Sequence, residues 1–84
     1  MTVEEVPYRE AVRRALRDAM EADDAVVLIG EEVGRYGGAY GASKGLIDEF
    51  GEHRVLDAPI SEAGIAGVAV GAAMAGLRPV AELM

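Results

Sequence analysis

One acidic residue stands at the start of a long uncharged stretch and is the best-placed candidate for acid–base chemistry. Glu62 follows the turn Asp57-Ala58-Pro59-Ile60-Ser61, and the fifteen residues from Ala63 to Leu77 carry no charge. A carboxylate at the border between a solvent-facing loop and a buried segment loses hydration, which suits a group that exchanges a proton near neutral pH. The competing interpretation is an acid that only stabilises a helix start, an effect of about 0.3 to 1 kcal/mol.

A second candidate lies after a short apolar run. Ala25-Val26-Val27-Leu28-Ile29 is closed by Gly30 and is typical of a strand buried on both faces; Glu31 and Glu32 follow it. Adjacent side chains in a loop usually point apart, so at most one of these acids would face a site, and a solvated turn is the alternative. Both Glu31 and the turn before Glu62 follow predicted strands. Parallel strands end at the same edge of a sheet, where α/β domains bind their ligands.

Composition excludes several other classes of function. The chain has 8 basic and 15 acidic residues, and its net charge of -7 opposes binding to nucleic acid or to an anionic membrane surface. Cysteine is absent and His53 is the only histidine, in a charged turn where we expect it to be exposed, so disulfides and thiolate or histidine-cluster metal sites are excluded. The glycine-rich phosphate-binding motifs are also missing from the required strand-to-helix context. Metal sites built on thiolates or on several histidines are therefore not expected in this chain.

Hydrophobic periodicity predicts alternating helices and strands. Pro7 and the apolar spacing after it predict an amphipathic helix from Tyr8 to about Ala22, and five glycines between Gly34 and Gly45 indicate a loop. The other predicted elements are a short helix at 44–50, a strand at 54–57, a helix from about Glu62 to Ala75 capped by Ser61 or a preceding residue, and a strand at 78–83. This order favours an α/β fold, a mostly parallel sheet with helices on both faces.

The uncharged helix has an unusual face. It is shorter than the roughly 20 apolar residues that a bilayer requires, which argues against a membrane span. Gly67, Gly71 and Ala75 repeat every four residues, so one face of the helix lacks bulky side chains and lets another backbone approach. Three partners fit that face: the sheet of this chain, the helix of a second subunit, or a flat ligand. The sequence leaves the choice between them open.

Length and termini predict the kind of chain and its location. With 84 residues the chain is below the usual domain size, and residues 78–84 read as a strand with no following element, so we expect an incomplete domain. The acidic start Met1-Thr2-Val3-Glu4-Glu5 has neither a basic segment with an apolar core nor an Arg-rich amphipathic stretch. These features predict a cytoplasmic, bacterial protein without a signal or transit peptide.

Several motifs together are similar to a known family. They are Leu28-Ile29-Gly30-Glu31-Glu32-Val33, Tyr36-Gly37-Gly38-Ala39-Tyr40, Ser43-Lys44-Gly45-Leu46, and Pro59-Ile60-Ser61-Glu62 followed by residues 71–79. In order and spacing the chain from Tyr8 to Met84 resembles the start of the β subunit of 2-oxo acid dehydrogenases of the pyruvate dehydrogenase type. The resemblance implies a partial thiamine diphosphate-binding fold of the pyrimidine type. Residues 1–84 would be the amino-terminal part of a transketolase-like pyrimidine-binding domain, without its remainder or the second domain.

The same resemblance implies an activity and the residues that serve it. In the family a glutamate matching Glu62 hydrogen-bonds the pyrimidine ring nitrogen of thiamine diphosphate and acts as the catalytic acid. Glu31 matches an acid near the cofactor, on a proton path between paired sites. The implied reaction is oxidative decarboxylation of pyruvate, a small 2-oxo acid, with transfer of the acyl unit to a lipoyl group.

The resemblance also implies an assembly. The implied partners are an α subunit that holds the diphosphate and its magnesium, a second β subunit in a heterotetramer, and the lipoyl-bearing acyltransferase component. A chain of this length alone is expected to be inactive, because the site forms between subunits. Two alternatives stay open: a β subunit acting on acetoin or branched-chain 2-oxo acids, and a non-catalytic truncated remnant that binds an α subunit or fails to fold.

Overall fold

The computed structural model of the protein describes Glu5 and residues 7–31, 33–34, 43–59 and 61–83. The elements are α1 (Tyr8–Ala22), β1 (Val26–Glu31), α2 (Leu46–Phe50), β2 (Val55–Ala58), α3 (Glu62–Met74) and β3 (Arg78–Glu82). The three strands form one parallel sheet in the order β2-β1-β3. The predicted α/β fold with a parallel sheet is therefore confirmed. Of the predicted glycine-rich loop, residues 35–42 lie outside the described residues.

The core lies on one face of the sheet, under α1 and α2. Leu28 of the central strand packs there with Met20 of α1 and Leu46 of α2, and all three are almost fully buried. Val33 and Val55 complete this cluster. Burial of such side chains removes apolar surface from water, the main force that holds the helices against the sheet.

The opposite face of the sheet is only partly covered by α3. Ile65 is the one described residue of α3 that is buried, whereas Val68 is 56 % and Met74 85 % exposed. A Cβ atom added at Gly67 or Gly71 would meet nothing within 4 Å. The prediction that α3 is buried is thus wrong for the described part of the chain. An apolar composition indicates that other protein surface will cover the helix, but that surface need not belong to the same domain. Among the residues described, no helix combines the length and apolar character needed to cross a membrane.

Arg54 joins three chain segments at the amino-terminal edge of the sheet. Its Nη2 atom donates to the carbonyl oxygens of Met20 at 2.7 Å, Asp23 at 2.8 Å and Val26 at 2.9 Å. The guanidinium carbon also lies 5.0 Å from the centre of the Phe50 ring. Because the last carbonyls of a helix lack partners within that helix, the guanidinium both satisfies acceptors and compensates the negative end of α1.

Ion pairs on the exposed face of α1 follow the predicted helical spacing. Arg14 Nε lies 3.2 Å from Oε1 of Glu10, which is four residues earlier on the helix. Arg13 binds the same carboxylate at 2.6 and 3.0 Å, and this hydrogen bond lowers the pKa of Glu10 to about 2. Arg17 reaches Glu49 of α2 at 2.9 Å. Of these contacts, only the Arg17–Glu49 pair joins α1 to α2, and exposed pairs contribute little stability.

Gly30 of β1 allows β3 to approach closely, which gives a test of the packing. A Cβ atom there would lie 2.8 Å from Val33 Cγ1 and 2.9 Å from both the Cβ and the carbonyl oxygen of Glu82. We expect Gly30→Ala to lower the free energy of unfolding by about 1 to 3 kcal/mol, because the β3 backbone must shift. Urea unfolding of the protein measures it. Gly67→Ala is the matched control, with open space at its Cβ position, and should leave stability unchanged or raise it; equal losses in the two variants would contradict this packing.

Candidate functional site

The acids predicted from the sequence meet at the carboxyl edge of the sheet. Glu31 is the last residue of β1 and pairs with Ala58 at the end of β2. Four residues after Ala58, Glu62 begins α3. Glu82 ends β3 beside Gly30 of β1. The predicted convergence of strand ends is confirmed, whereas His53 is exposed, as predicted, in the turn that precedes β2 at the other edge.

Alternation along the strands divides these acids between the two faces of the sheet. Side chains of successive strand residues point to opposite faces. Glu31 therefore shares a face with Ile29, on the α3 side. Asp57 and Glu82 both pair with Gly30, so they lie on the other face, with α1 and α2. The carboxyl edge therefore carries Glu31 on its α3 face, and Asp57 and Glu82 on the opposite face.

An apolar cleft lies between the strand ends and the start of α3. Its volume is about 230 Å³. The residues that line it are Ile29, Ala58, Pro59, Ser61, Gly64, Ile65 and Val68. Glu31 follows Ile29 by two residues on the same face, and Glu62 follows Ser61 directly. Both predicted acids thus lie within two residues of the cleft lining along the chain, and the cleft can take a flat, largely apolar ring.

Ser61 fixes where α3 begins. Its backbone is extended, with a φ of -164°, and its Oγ atom accepts a hydrogen bond from the Gly64 N–H at 3.2 Å. This is the N-cap geometry, which satisfies one of the free N–H groups of the first turn. The predicted cap is confirmed. It holds Glu62 in the first turn of α3, at the rim of the cleft.

The two predicted acids differ in burial. Glu31 is 7 % exposed, and its Oε1 atom has no hydrogen-bond partner among the described residues. Buried carboxyl oxygens without a partner are rare, and such an oxygen is a candidate contact for a ligand. Glu62 is exposed, so the described residues do not supply the dry environment expected at the start of α3. Glu32 lies outside the described residues.

Two further acids at this edge were not predicted as site residues. Asp57 Oδ1 accepts a hydrogen bond from the Gly34 N–H at 2.6 Å. Glu82 is half-buried, and this burial raises the pKa of its carboxyl above the ordinary value. For Glu82 the sequence held one indication, the glycine at position 30. Glu82 lies opposite Gly30 in the sheet, where no side chain separates the strands. The contact of Asp57 joins residues 23 positions apart and had no local signal.

Metal ligation was tested on the same residues. Within the part of the chain that the structure describes, no group of three or more His, Asp or Glu side chains is arranged to hold a metal ion. The acids at the carboxyl edge are separated by the sheet itself, with Glu31 on one face and Asp57 on the other. What this edge offers chemically is hydrogen bonding and proton exchange beside an apolar cleft.

Comparison with known proteins identifies the domain. Residues 4–84 match the family model of the transketolase pyrimidine-binding domain. The chain belongs to this family. Its order of helices and parallel strands is consistent with the α/β fold of this family.

Individual relatives are more specific. The pyrimidine-binding domain described here is 60 % identical over 80 residues to the pyruvate dehydrogenase E1 component subunit beta-2, mitochondrial, of rice. It is 55 % identical over 82 residues to the mitochondrial E1 subunit beta of Chaetomium thermophilum, and 54 % identical over 80 residues to the E1 subunit beta of Rickettsia conorii. These matches cover 95 to 98 % of this chain and 21 to 24 % of the relatives. The chain thus spans about a fifth to a quarter of their length.

The cytoplasmic location predicted from the sequence is wrong. Relatives from rice, Chaetomium thermophilum and cattle are named as mitochondrial proteins. The prediction used the acidic composition, the lack of cysteine and the acidic first residues. Composition and the charge of the first residues do not specify a cellular location, which receptors read from separate signals.

Proposed function

We propose that this chain is the amino-terminal part of the β subunit of a thiamine diphosphate-dependent 2-oxo acid dehydrogenase that decarboxylates pyruvate. The observation that carries the proposal is the 51 to 60 % identity to named pyruvate dehydrogenase E1 β subunits over 90 % or more of the chain. In this proposal residues 1–84 contribute the early strands of a longer pyrimidine-binding domain, and the reaction belongs to the whole assembly.

The residues at the carboxyl edge fit the pyrimidine half of the cofactor. The cleft is apolar, as a flat ring requires, and its lining residues Ile29 and Ser61 lie close along the chain to Glu31 and Glu62. The unpartnered buried oxygen of Glu31 fits a hydrogen-bonding neighbour at this edge. Among the described residues no group of three or more His, Asp or Glu side chains could hold a metal ion, and we assign the magnesium and the diphosphate to a partner α subunit.

Each acid has a distinct role in the proposal. Glu62 is the catalytic acid and hydrogen-bonds the ring nitrogen of the pyrimidine, sharing a proton with it. This role requires a carboxyl group that holds its proton near neutral pH, so the exposed rim of this chain has to be closed to water by the assembled subunits. Glu31 is the more buried of the two acids and would lie near the cofactor, on a proton path between paired sites. Bound thiamine diphosphate supplies the carbon nucleophile that adds to the 2-oxo acid.

The proposed partners follow from the same assignment. They are an α subunit, a second β subunit in a heterotetramer, and a lipoyl-bearing acyltransferase that accepts the acyl unit. Support comes from α3, whose small-residue face is open at Gly67 and Gly71 among the described residues. Folded proteins seldom leave a contiguous apolar face exposed to water.

A substrate panel tests the proposal. The full-length β subunit is purified with its α subunit, thiamine diphosphate and magnesium, and decarboxylation is measured with pyruvate, a branched-chain 2-oxo acid and acetoin. We expect the highest kcat/KM with pyruvate. A preference for either of the other compounds would assign the chain to a related dehydrogenase. Failure to turn over any of them, in an assembly that forms normally, would favour a non-catalytic remnant.

A further inference from the structure

We infer that Asp57 is a positioning residue that fixes Glu31 relative to Glu62. Its carboxylate holds the turn that follows Glu31 against β2, the strand that leads into the turn before Glu62. The inference rests on the proposed function for its catalytic consequence, although the contact itself belongs to the fold. It assigns a role to a residue that neither accepts nor donates a proton in the reaction.

The contact ties the turn after β1 to strand β2, beyond the point where the two strands stop pairing. β1 ends at Glu31 and β2 at Ala58, so the pairing of the two strands stops there. Gly34 lies three residues beyond Glu31, and its N–H donates to Asp57 Oδ1 at 2.6 Å. Asp57 in turn lies five residues before Glu62. The hydrogen bond therefore continues the connection between β1 and β2 past Glu31, into the turn that follows it.

The turn at Gly34 has no room for a side chain. A Cβ atom added to Gly34 would lie 2.8 Å from Ile47 Cδ1 and 3.1 and 3.2 Å from the two carboxylate oxygens of Asp57. The backbone of the turn is thus pressed between α2 and the Asp57 carboxylate. Only a residue without a side chain fits there without displacing one of them.

The position of Asp57 argues against direct chemistry. Strand alternation puts it on the face opposite Glu31, and it is not among the residues that line the cleft. It acts through the backbone of Gly34. An ionised acceptor forms short, strong hydrogen bonds with N–H groups, and displacement of a catalytic group by about 1 Å can cost about a hundredfold in rate.

The test compares two replacements of Asp57 in the assembled full-length protein. Asp57→Ala removes the acceptor, whereas Asp57→Asn keeps an acceptor oxygen and removes the charge. Asp48→Ala on the exposed side of α2 is the control for loss of an acidic residue nearby. Three quantities are measured: kcat and KM for pyruvate, the affinity for thiamine diphosphate, and hydrogen–deuterium exchange of the peptide that contains Gly34.

We expect Asp57→Ala to lower kcat about tenfold or more with KM changed less than about threefold, and to speed exchange at Gly34. Asp57→Asn should restore most of both, and Asp48→Ala should match the wild type. Wild-type kcat in Asp57→Ala would overturn the inference, as would equal defects in the Ala and Asn variants with unchanged exchange at Gly34. If the wild-type assembly has no activity, the proposed function fails, while the exchange data still decide whether the contact exists.

Discussion

In the proposed assembly, replacing Glu62 with glutamine is expected to lower the turnover of pyruvate by about a hundredfold or more and to leave the assembly intact. Glutamine keeps the size and the hydrogen-bonding capacity of the side chain but has no acidic proton to share with the pyrimidine ring. General acid–base groups typically contribute about 10²- to 10⁴-fold to rate. Steady-state decarboxylation of pyruvate, with size-exclusion chromatography for assembly, measures both parts of this expectation.

The control for Glu62→Gln is the same change at an exposed acid away from the carboxyl edge. Glu52 lies in the turn before β2 and is exposed, so Glu52→Gln should leave turnover within about twofold. Normal turnover in Glu62→Gln would support the simpler interpretation, an acid that only stabilises the start of α3. That effect, about 0.3 to 1 kcal/mol, would appear as a small loss of stability without a loss of rate.

Replacing Arg54 with alanine is expected to cost about 2 to 4 kcal/mol of stability, the largest effect on folding that we predict. The change removes hydrogen bonds to three backbone carbonyls and the contact with the Phe50 ring. Hydrogen bonds that involve a charged group contribute about 1.5 to 3 kcal/mol each, and bonds sharing one donor group are not additive. The urea concentration at the unfolding midpoint measures the loss.

Two further variants isolate the geometry of the Arg54 contact. Arg78→Ala removes another arginine that is bonded to Asp23, at 2.9 Å, but this side chain is 75 % exposed, so the loss should be below about 1 kcal/mol. Arg54→Lys keeps the charge without the planar fork, and an intermediate loss is expected. Equal stability of Arg54→Ala and Arg78→Ala would show that the three carbonyl contacts contribute nothing special.

Much of the fold could be predicted because its signals are local. The spacing of apolar residues between Pro7 and Ala22 is that of α1, and the continuous run from Ala25 is that of a strand buried on both faces. Ser61 could be predicted as a cap because a side-chain oxygen three residues before an N–H is a local geometry. The candidate acids Glu31 and Glu62 followed from strand ends, which parallel topology brings to one edge.

The remaining features depend on contacts between distant residues. Arg54 binds backbone carbonyls, which every residue carries, so its partners leave no trace in composition. The contact of Asp57 with Gly34 needs the relative placement of β2 and the turn after β1. The exposure of Val68 and Met74 was missed for a different reason: apolar character predicts that a surface will be covered, but not that the covering belongs to the same part of the protein.

The strand order β2-β1-β3 has a consequence for synthesis of the protein on the ribosome. The central strand β1 is made first, but one of its sides pairs only with β3, more than forty residues later. While residues 78–82 are still inside the ribosome, the nascent chain exposes the unpaired edge of β1. A hydrophobic strand edge of this kind favours aggregation. Completion of the carboxyl edge, and of any site it carries, thus waits for β3 to emerge.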